Sequence, residues 1–216
     1  MTSLIALRQY GGDSRAQTLW SISDRLRFLT HLMSVPRMCG IPLAIASVPR
    51  RVLSDTFPDL VERARWHHLR AFGDCMAKAD AHIRQNGHPQ EVATIVAEHS
   101  EKPERQAMRA AMDVYREGFR LKSEYHTPGI ADRKRGYSTG NLEFRISRIR
   151  DTIHFVLKGK EPLVDVADAC AFGFRAWLRG DKFGSQYLSA IGLPETQMAA
   201  ELWRHSGGCN CYSPPR

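Results

Sequence analysis

Val92-Ala93-Thr94-Ile95-Val96-Ala97, running straight into Glu98-His99-Ser100-Glu101, is the stretch whose reading decides the fold. The apolar, β-branched run has the length of a strand, and it stops abruptly at a polar cluster. Pro103 near the next start, with the spacing of Met108, Ala111, Met112 and Tyr115, then predicts a helix to about Glu117. Strand, polar loop and helix in succession are the repeating unit of an α/β protein.

The alternation extends in both directions. Upstream, Leu4 to Leu7 reads as the end of a strand before Gly11 and Gly12. Ser21 or Ser23 caps a helix whose apolar positions Leu26, Leu29, Leu32 and Met33 recur at helical spacing until Pro36 and Gly40. Ile41 to Val48, between Gly40 and Pro49, is a core strand. A long helix follows from Pro58 to about Gln85, with a stripe of Leu60, Ala64, His67, His68, Ala71, Phe72, Cys75, Ala79 and Ile83, and Asn86-Gly87 as its stop.

Downstream, residues 118–145 mix Gly, Pro, Lys and Arg without periodicity and read as a long basic connection. Ile149 to Leu157 alternates as a half-buried strand with Ile153, Phe155 and Leu157 on one side. Leu163 to Leu178 is helical, with Val166, Ala167, Cys170, Phe174 and Trp177 on one face, and a short helix from Pro194 to His205 precedes the tail. The expected fold class is α/β, with residues 1–205 in one domain and 206–216 as a flexible tail.

Composition sets the outer bounds. The 216 residues are 43% hydrophobic and 25% charged, values of a chain that buries a core. No apolar run approaches the roughly 20 residues a membrane helix needs, and Met1 to Tyr10 lacks the form of a secretory signal. A cytoplasmic protein without a membrane partner is expected. Five cysteines are an odd number, with Cys39, Cys75 and Cys170 isolated, so a disulfide framework is not expected. Cys209 and Cys211 form a C-x-C pair, either half a metal site or part of the tail.

The formal net charge of +8 favours polyanions. Cations cluster between Lys122 and Lys160, where Arg133, Lys134, Arg135, Arg148 and Arg150 read as a phosphate-facing patch; the alternative is an ordinary solvated face. Nucleic acid is the partner this predicts.

No Walker loop, dinucleotide fingerprint, zincin motif or nucleophile elbow occurs. What remains is acids at element ends: Glu98 and Glu101 after a strand, and Asp165 and Asp168 in the first turns of an apolar helix. Carboxylates are hard oxygen ligands suited to Mg²⁺ or Mn²⁺, and paired ions stabilise an in-line phosphoryl displacement. Asp168, flanked by Ala167 and Ala169, suits such a use on the apolar face; otherwise both aspartates serve the helix N-terminus. His99 beside Glu98 suits a supporting or proton-transfer role. Adjacent His67 and His68 cannot both face one ligand on a helix, and His154 reads as an ordinary strand residue.

Three segments carry a family resemblance: Ala93-Thr94-Ile95-Val96-Ala97-Glu98, Ile149-Arg150-Asp151-Thr152-Ile153-His154-Phe155, and Leu163-Val164-Asp165-Val166-Ala167-Asp168-Ala169-Cys170-Ala171. In order and spacing they resemble a bacterial and phage family, the domain of unknown function numbered thirty-eight hundred, in the ribonuclease-H-like superfamily. The resemblance implies a ribonuclease-H-like mixed sheet flanked by helices, with acids from separate elements at a divalent-metal site. Glu98 and Asp168 fall on the family's acids and would be the catalytic, metal-binding residues. Asp165 stands where the family usually has Gln and is the further candidate ligand. The family's opening strand, ending in Asp-Glu-Ser-Gly, has no counterpart in Met1 to Gly12, so an internal start or a lost ligand is expected.

The functional expectation is a Mg²⁺- or Mn²⁺-dependent nuclease, active or degenerate, that engages nucleic acid through its basic surface. The competing expectation is a non-catalytic binding module of a mobile-element or defence system, in which the acids are helix caps.

Overall fold

The computed structural model describes residues 21–49, 59–117, 119–120, 143–144, 146–157, 159–193 and 208–212. In chain order these form α1 (Ile22–Cys39), β1 (Leu43–Ser47), α2 (Leu60–Asn86), β2 (Ala93–Glu98), α3 (Lys102–Glu117), β3 (Phe119–Arg120), β4 (Glu143–Phe144), β5 (Ile149–Val156), α4 (Pro162–Arg179), α5 (Gly184–Ile191) and β6 (Gly208–Tyr212). The α/β class expected from the alternation is therefore present. Among the described residues the strands pair two by two, β1 with β6, β2 with β5 and β3 with β4. No described helix is long and apolar enough to cross a membrane.

The chain divides into two compact units, the first holding α1, α4 and α5, the second running from Ala44 to Phe155 and including β6 as far as Cys211. Residues 208–212, within the stretch read as a flexible tail, form a strand. The Pro194–His205 helix lies outside the described residues, as does the strand end at Leu4–Leu7.

In the first unit, local signals define the helix ends. Ser21 caps α1, its hydroxyl oxygen accepting the Asp24 amide at 3.1 Å, with Asp24 favourably placed at the positive end of the helix. Gly40 takes the left-handed conformation, φ 67°, and the Ile41 amide returns to the Pro36 carbonyl at 2.8 Å. Pro36 is accommodated inside the last turn. On α4, Pro162 follows the Glu161 cap and Gly180 closes the helix at φ 74°.

The three helices pack on one another around Gly173. A Cβ there would lie 2.8 Å from the Met33 sulfur of α1 and 3.1 Å from the Tyr187 Cβ of α5. The buried face of α4 is Val166, Ala169, Cys170, Gly173, Phe174, Ala176 and Trp177, so Ala167, assigned to that face from the sequence, is instead exposed. The Cys170 thiol approaches the Met33 carbonyl at 3.8 Å, and burial pushes its pKa up to about 11. Helix α5 was not anticipated, although Tyr187, Leu188 and Ile191 have helical spacing and Gly192 ends it.

In the second unit, α2 and α3 cover β2 and β5. The core is Met76, Met108, Met112, Ile146, Ile149 and Ile153, joined by Leu69, Phe72, Ile95, Tyr115 and Phe155. The Ala93 amide donates to the Arg148 carbonyl at 2.7 Å, so the two strands start together and run parallel.

The buried line of α2 is Gly73, Met76, Asp80 and Arg84, rotated from the stripe read in the sequence; Ala64 and His68 are exposed. The rotation occurs because two charged residues occupy the interior. Asp80 is 0% exposed and Arg84 6%, and their ion pair closes at 2.9 Å. The other Asp80 oxygen accepts the amides of Ser147 at 3.0 Å and Arg148 at 2.6 Å. A charge is tolerated at such depth only with partners of this kind.

Burial pushes the Asp80 carboxyl above its ordinary 3.8, against the pull of the Arg148 amide, Arg84 and the Ser147 amide. An acid held higher in the folded than in the unfolded chain costs stability as pH rises from the unfolded value through the folded one. Urea unfolding should therefore show a stability contribution that falls with pH above 3.8, and Asp80→Asn should flatten that slope. Asp80→Ala, which strands Arg84 and two amides, should cost roughly 3–5 kcal/mol in the same assay. In the first unit, a Cβ on Gly184 would sit 2.6 Å from the Trp177 Cα, so Gly184→Ala should lower stability by roughly 1–3 kcal/mol in thermal unfolding.

Candidate functional site

The parallel strands place the sequence's candidates by simple parity. Along β2, Ala93, Ile95 and Ala97 turn toward the core while Thr94 and Val96 are exposed, so Glu98 shares the outward row at the carboxyl end. Along β5, Ile149 and Ile153 are buried and Arg150, Thr152 and His154 are exposed. One outward face therefore carries Arg150 near its amino end and Glu98 at its carboxyl end.

The carboxyl end is the more elaborate. His99 leaves β2 and meets α3 through Arg105, whose Nη1 lies 2.6 Å from Nε2 and 3.3 Å from Nδ1 of the imidazole. Since guanidinium only donates, the imidazole accepts. The same Nη1 also donates to the Ser100 carbonyl. Arg105 and Arg109, one turn apart, stand 6.0 and 5.4 Å from the centre of the Phe155 ring at the end of β5. His99 and Arg109 are exposed and Arg105 is half-buried.

Neither arginine was singled out from the sequence. The available signal was their four-residue separation on a helix that follows a strand and a polar loop, but an ordinary solvated helix face has the same pattern. Only Phe155, assigned correctly to the inward side of its strand, distinguishes them.

Asp165 and Asp168 belong to the other unit, in the first two turns of α4. Asp165 is half-buried and its amide donates to the Glu161 carbonyl at 3.3 Å. Asp168 is exposed, which corrects its expected place on the apolar face. Helical geometry explains this: Val166, Ala169, Cys170 and Gly173 define the buried side, and Asp168 projects with Ala167, Ala171 and Arg175 toward solvent. Among the described residues, no group of three or more His, Cys, Asp or Glu side chains gathers as a metal site.

Of the expected phosphate-facing cations, Arg133, Lys134 and Arg135 lie outside the described residues. Arg150 is exposed, whereas Arg148 is 1% exposed and donates through Nη1 to the Pro89 carbonyl. Arg148 is thus an interior residue that ties the start of β5 to the turn before β2, and its reading as a surface cation is corrected. The reason is position: Arg148 stands one residue before β5, outside the strand's alternation, and its guanidinium is held at the Pro89 carbonyl.

Comparison with known proteins returned no matching protein family, curated protein or solved structure.

The two neighbouring arginines should behave oppositely on substitution. Arg148→Ala should cost roughly 1–3 kcal/mol in urea unfolding, as the Pro89 carbonyl loses its buried donor, whereas Arg150→Ala should stay within about 0.5 kcal/mol of the parent chain.

Proposed function

We propose that the protein binds nucleic acid through the outward face of the β2–β5 pair and acts on it as a metal-dependent, ribonuclease-H-like phosphodiester hydrolase. The observation that carries the reading is the placement of exposed Arg150 and of Glu98 on one face of two parallel strands. A cation there positions a phosphate backbone. A carboxylate at a strand's carboxyl end lies where open α/β sheets present their chemistry.

The resemblance of the three quoted segments to the domain of unknown function numbered thirty-eight hundred supports the same reading. Glu98 is the carboxylate proposed to bind Mg²⁺ or Mn²⁺ in the second unit, and Asp168, with Asp165 beside it, in the first. Such an ion would supply Lewis-acid activation of a phosphoryl oxygen and of water. His99 would hold the Arg105 guanidinium, and Arg133, Lys134 and Arg135 are the further cations proposed to contact phosphate.

A second reading is a binding module without hydrolysis. It is favoured by the position of Asp165 and Asp168 in the first two turns of α4, where carboxylates serve the helix end.

Calorimetric titration of Mn²⁺ into the parent chain, Glu98→Gln and Asp168→Ala, followed by a single-stranded and duplex DNA and RNA cleavage assay, tests both. Saturable binding and cleavage that fall at least about tenfold in either variant are expected. Cleavage that is unchanged in both variants would remove the assigned carboxylates. Nucleic-acid binding without Mn²⁺ uptake would establish the second reading.

A further inference from the structure

The carboxyl end of the β2–β5 pair carries an arginine pair to which the hydrolytic reading assigns no ligand. Arg105 and Arg109 lie one helical turn apart with their guanidiniums against the same Phe155 ring. Among the described residues neither forms an ion pair with a carboxylate. Glu101, one turn before Arg105, and Asp113, one turn after Arg109, are both exposed and do not close on them. Like charges one turn apart repel each other, and a shared anion would relieve that repulsion.

Each guanidinium is also oriented. The aromatic face attracts both cations, and Arg105 is further fixed by the His99 imidazole and the Ser100 carbonyl. Oriented guanidiniums present paired donors to an oxyanion in the geometry that makes arginine the preferred phosphate ligand. The site faces solvent at the carboxyl ends of parallel strands, the position where ligands of open α/β sheets bind.

We propose that Arg105 and Arg109, arranged by Phe155 and His99, form a subsite for a phosphate group, taken as a phosphodiester of nucleic acid. The assignment of the phosphate to nucleic acid rests on the proposed function; the subsite itself rests on the two guanidiniums. His99 and Phe155 are positioning residues, and the arginines are the ligand-binding ones.

The test uses the full chain, the exposed single variant Arg109→Gln and the double variant Arg105→Gln/Arg109→Gln. Thermal midpoints are read against rising inorganic phosphate, and binding of a fluorescein-labelled oligothymidylate is read by anisotropy at several salt concentrations. Saturable stabilisation by phosphate is expected for the parent, reduced in the single variant and lost in the double. Oligonucleotide affinity should fall roughly tenfold in the double variant, with a salt slope shallower by about 0.7, the value for one lost phosphate contact to a single strand.

Phosphate stabilisation that depends on both arginines, without oligonucleotide binding, would keep the subsite, assign it to a free phosphate compound and overturn the nucleic-acid reading. Oligonucleotide binding that is equal in the parent and both variants would overturn the subsite and leave the nucleic-acid reading standing. A parent chain that responds to neither probe would overturn both.

Discussion

The second unit depends on one carboxylate. Asp80 fixes the segment just before β5 by accepting the amides of Ser147 and Arg148, while Arg84 holds its other oxygen from the next turn of α2. The same segment is secured on two further sides, by the Ile146 amide at the Tyr115 carbonyl and by the Ala93 amide at the Arg148 carbonyl. With that segment fixed, the alternation along β5 is fixed as well, because a slip of one residue would exchange its two faces. Arg150 then points outward and Ile153 and Phe155 inward, the latter beneath Arg105 and Arg109. The chemistry at the far end of the strand thus follows from an ion pair at its near end.

The parts of this fold that sequence reading finds are those with local causes. Helix α1 is bounded by Ser21 and Gly40, β2 announces itself by a β-branched apolar run and β5 by alternation. What escapes it is set by partners far along the chain. Asp80 and Arg84 look like solvent-facing residues in any pattern that sorts by polarity, and their burial is made tolerable only by amides from residues 147 and 148. For that reason the buried line of α2 runs through Gly73, Met76, Asp80 and Arg84, while Phe72 and Ala79 of the expected stripe still pack against the core.

The candidate site divides along the same line. Glu98 and Arg150 could be placed from strand alternation alone, and the structure puts Arg150 on the exposed row. Asp168 was read as an acid on the apolar face, but a single helix stripe with Ala on both sides leaves the phase ambiguous, and packing around Gly173 decides it. Arg148 and Arg150 are chemically alike in the sequence and two residues apart, and what separates the interior residue from the surface one is that Arg148 precedes the strand and reaches the Pro89 carbonyl, a partner remote in the chain.

The chain order of the two units constrains how the protein emerges during synthesis. Helix α1 is made early, but its packing partners α4 and α5 come only after almost the whole second unit. The apolar surface of Leu29 and Met33 therefore waits uncovered while α2, β2, α3 and β5 are added, and closing the first unit bears the entropy of a long intervening loop. Within the second unit, α2, β2 and α3 are contiguous, and the two helices pack on each other without waiting for later segments. The core of the second unit can thus close before α1 meets α4 and α5, while β1 waits for β6, which follows all of them in the chain.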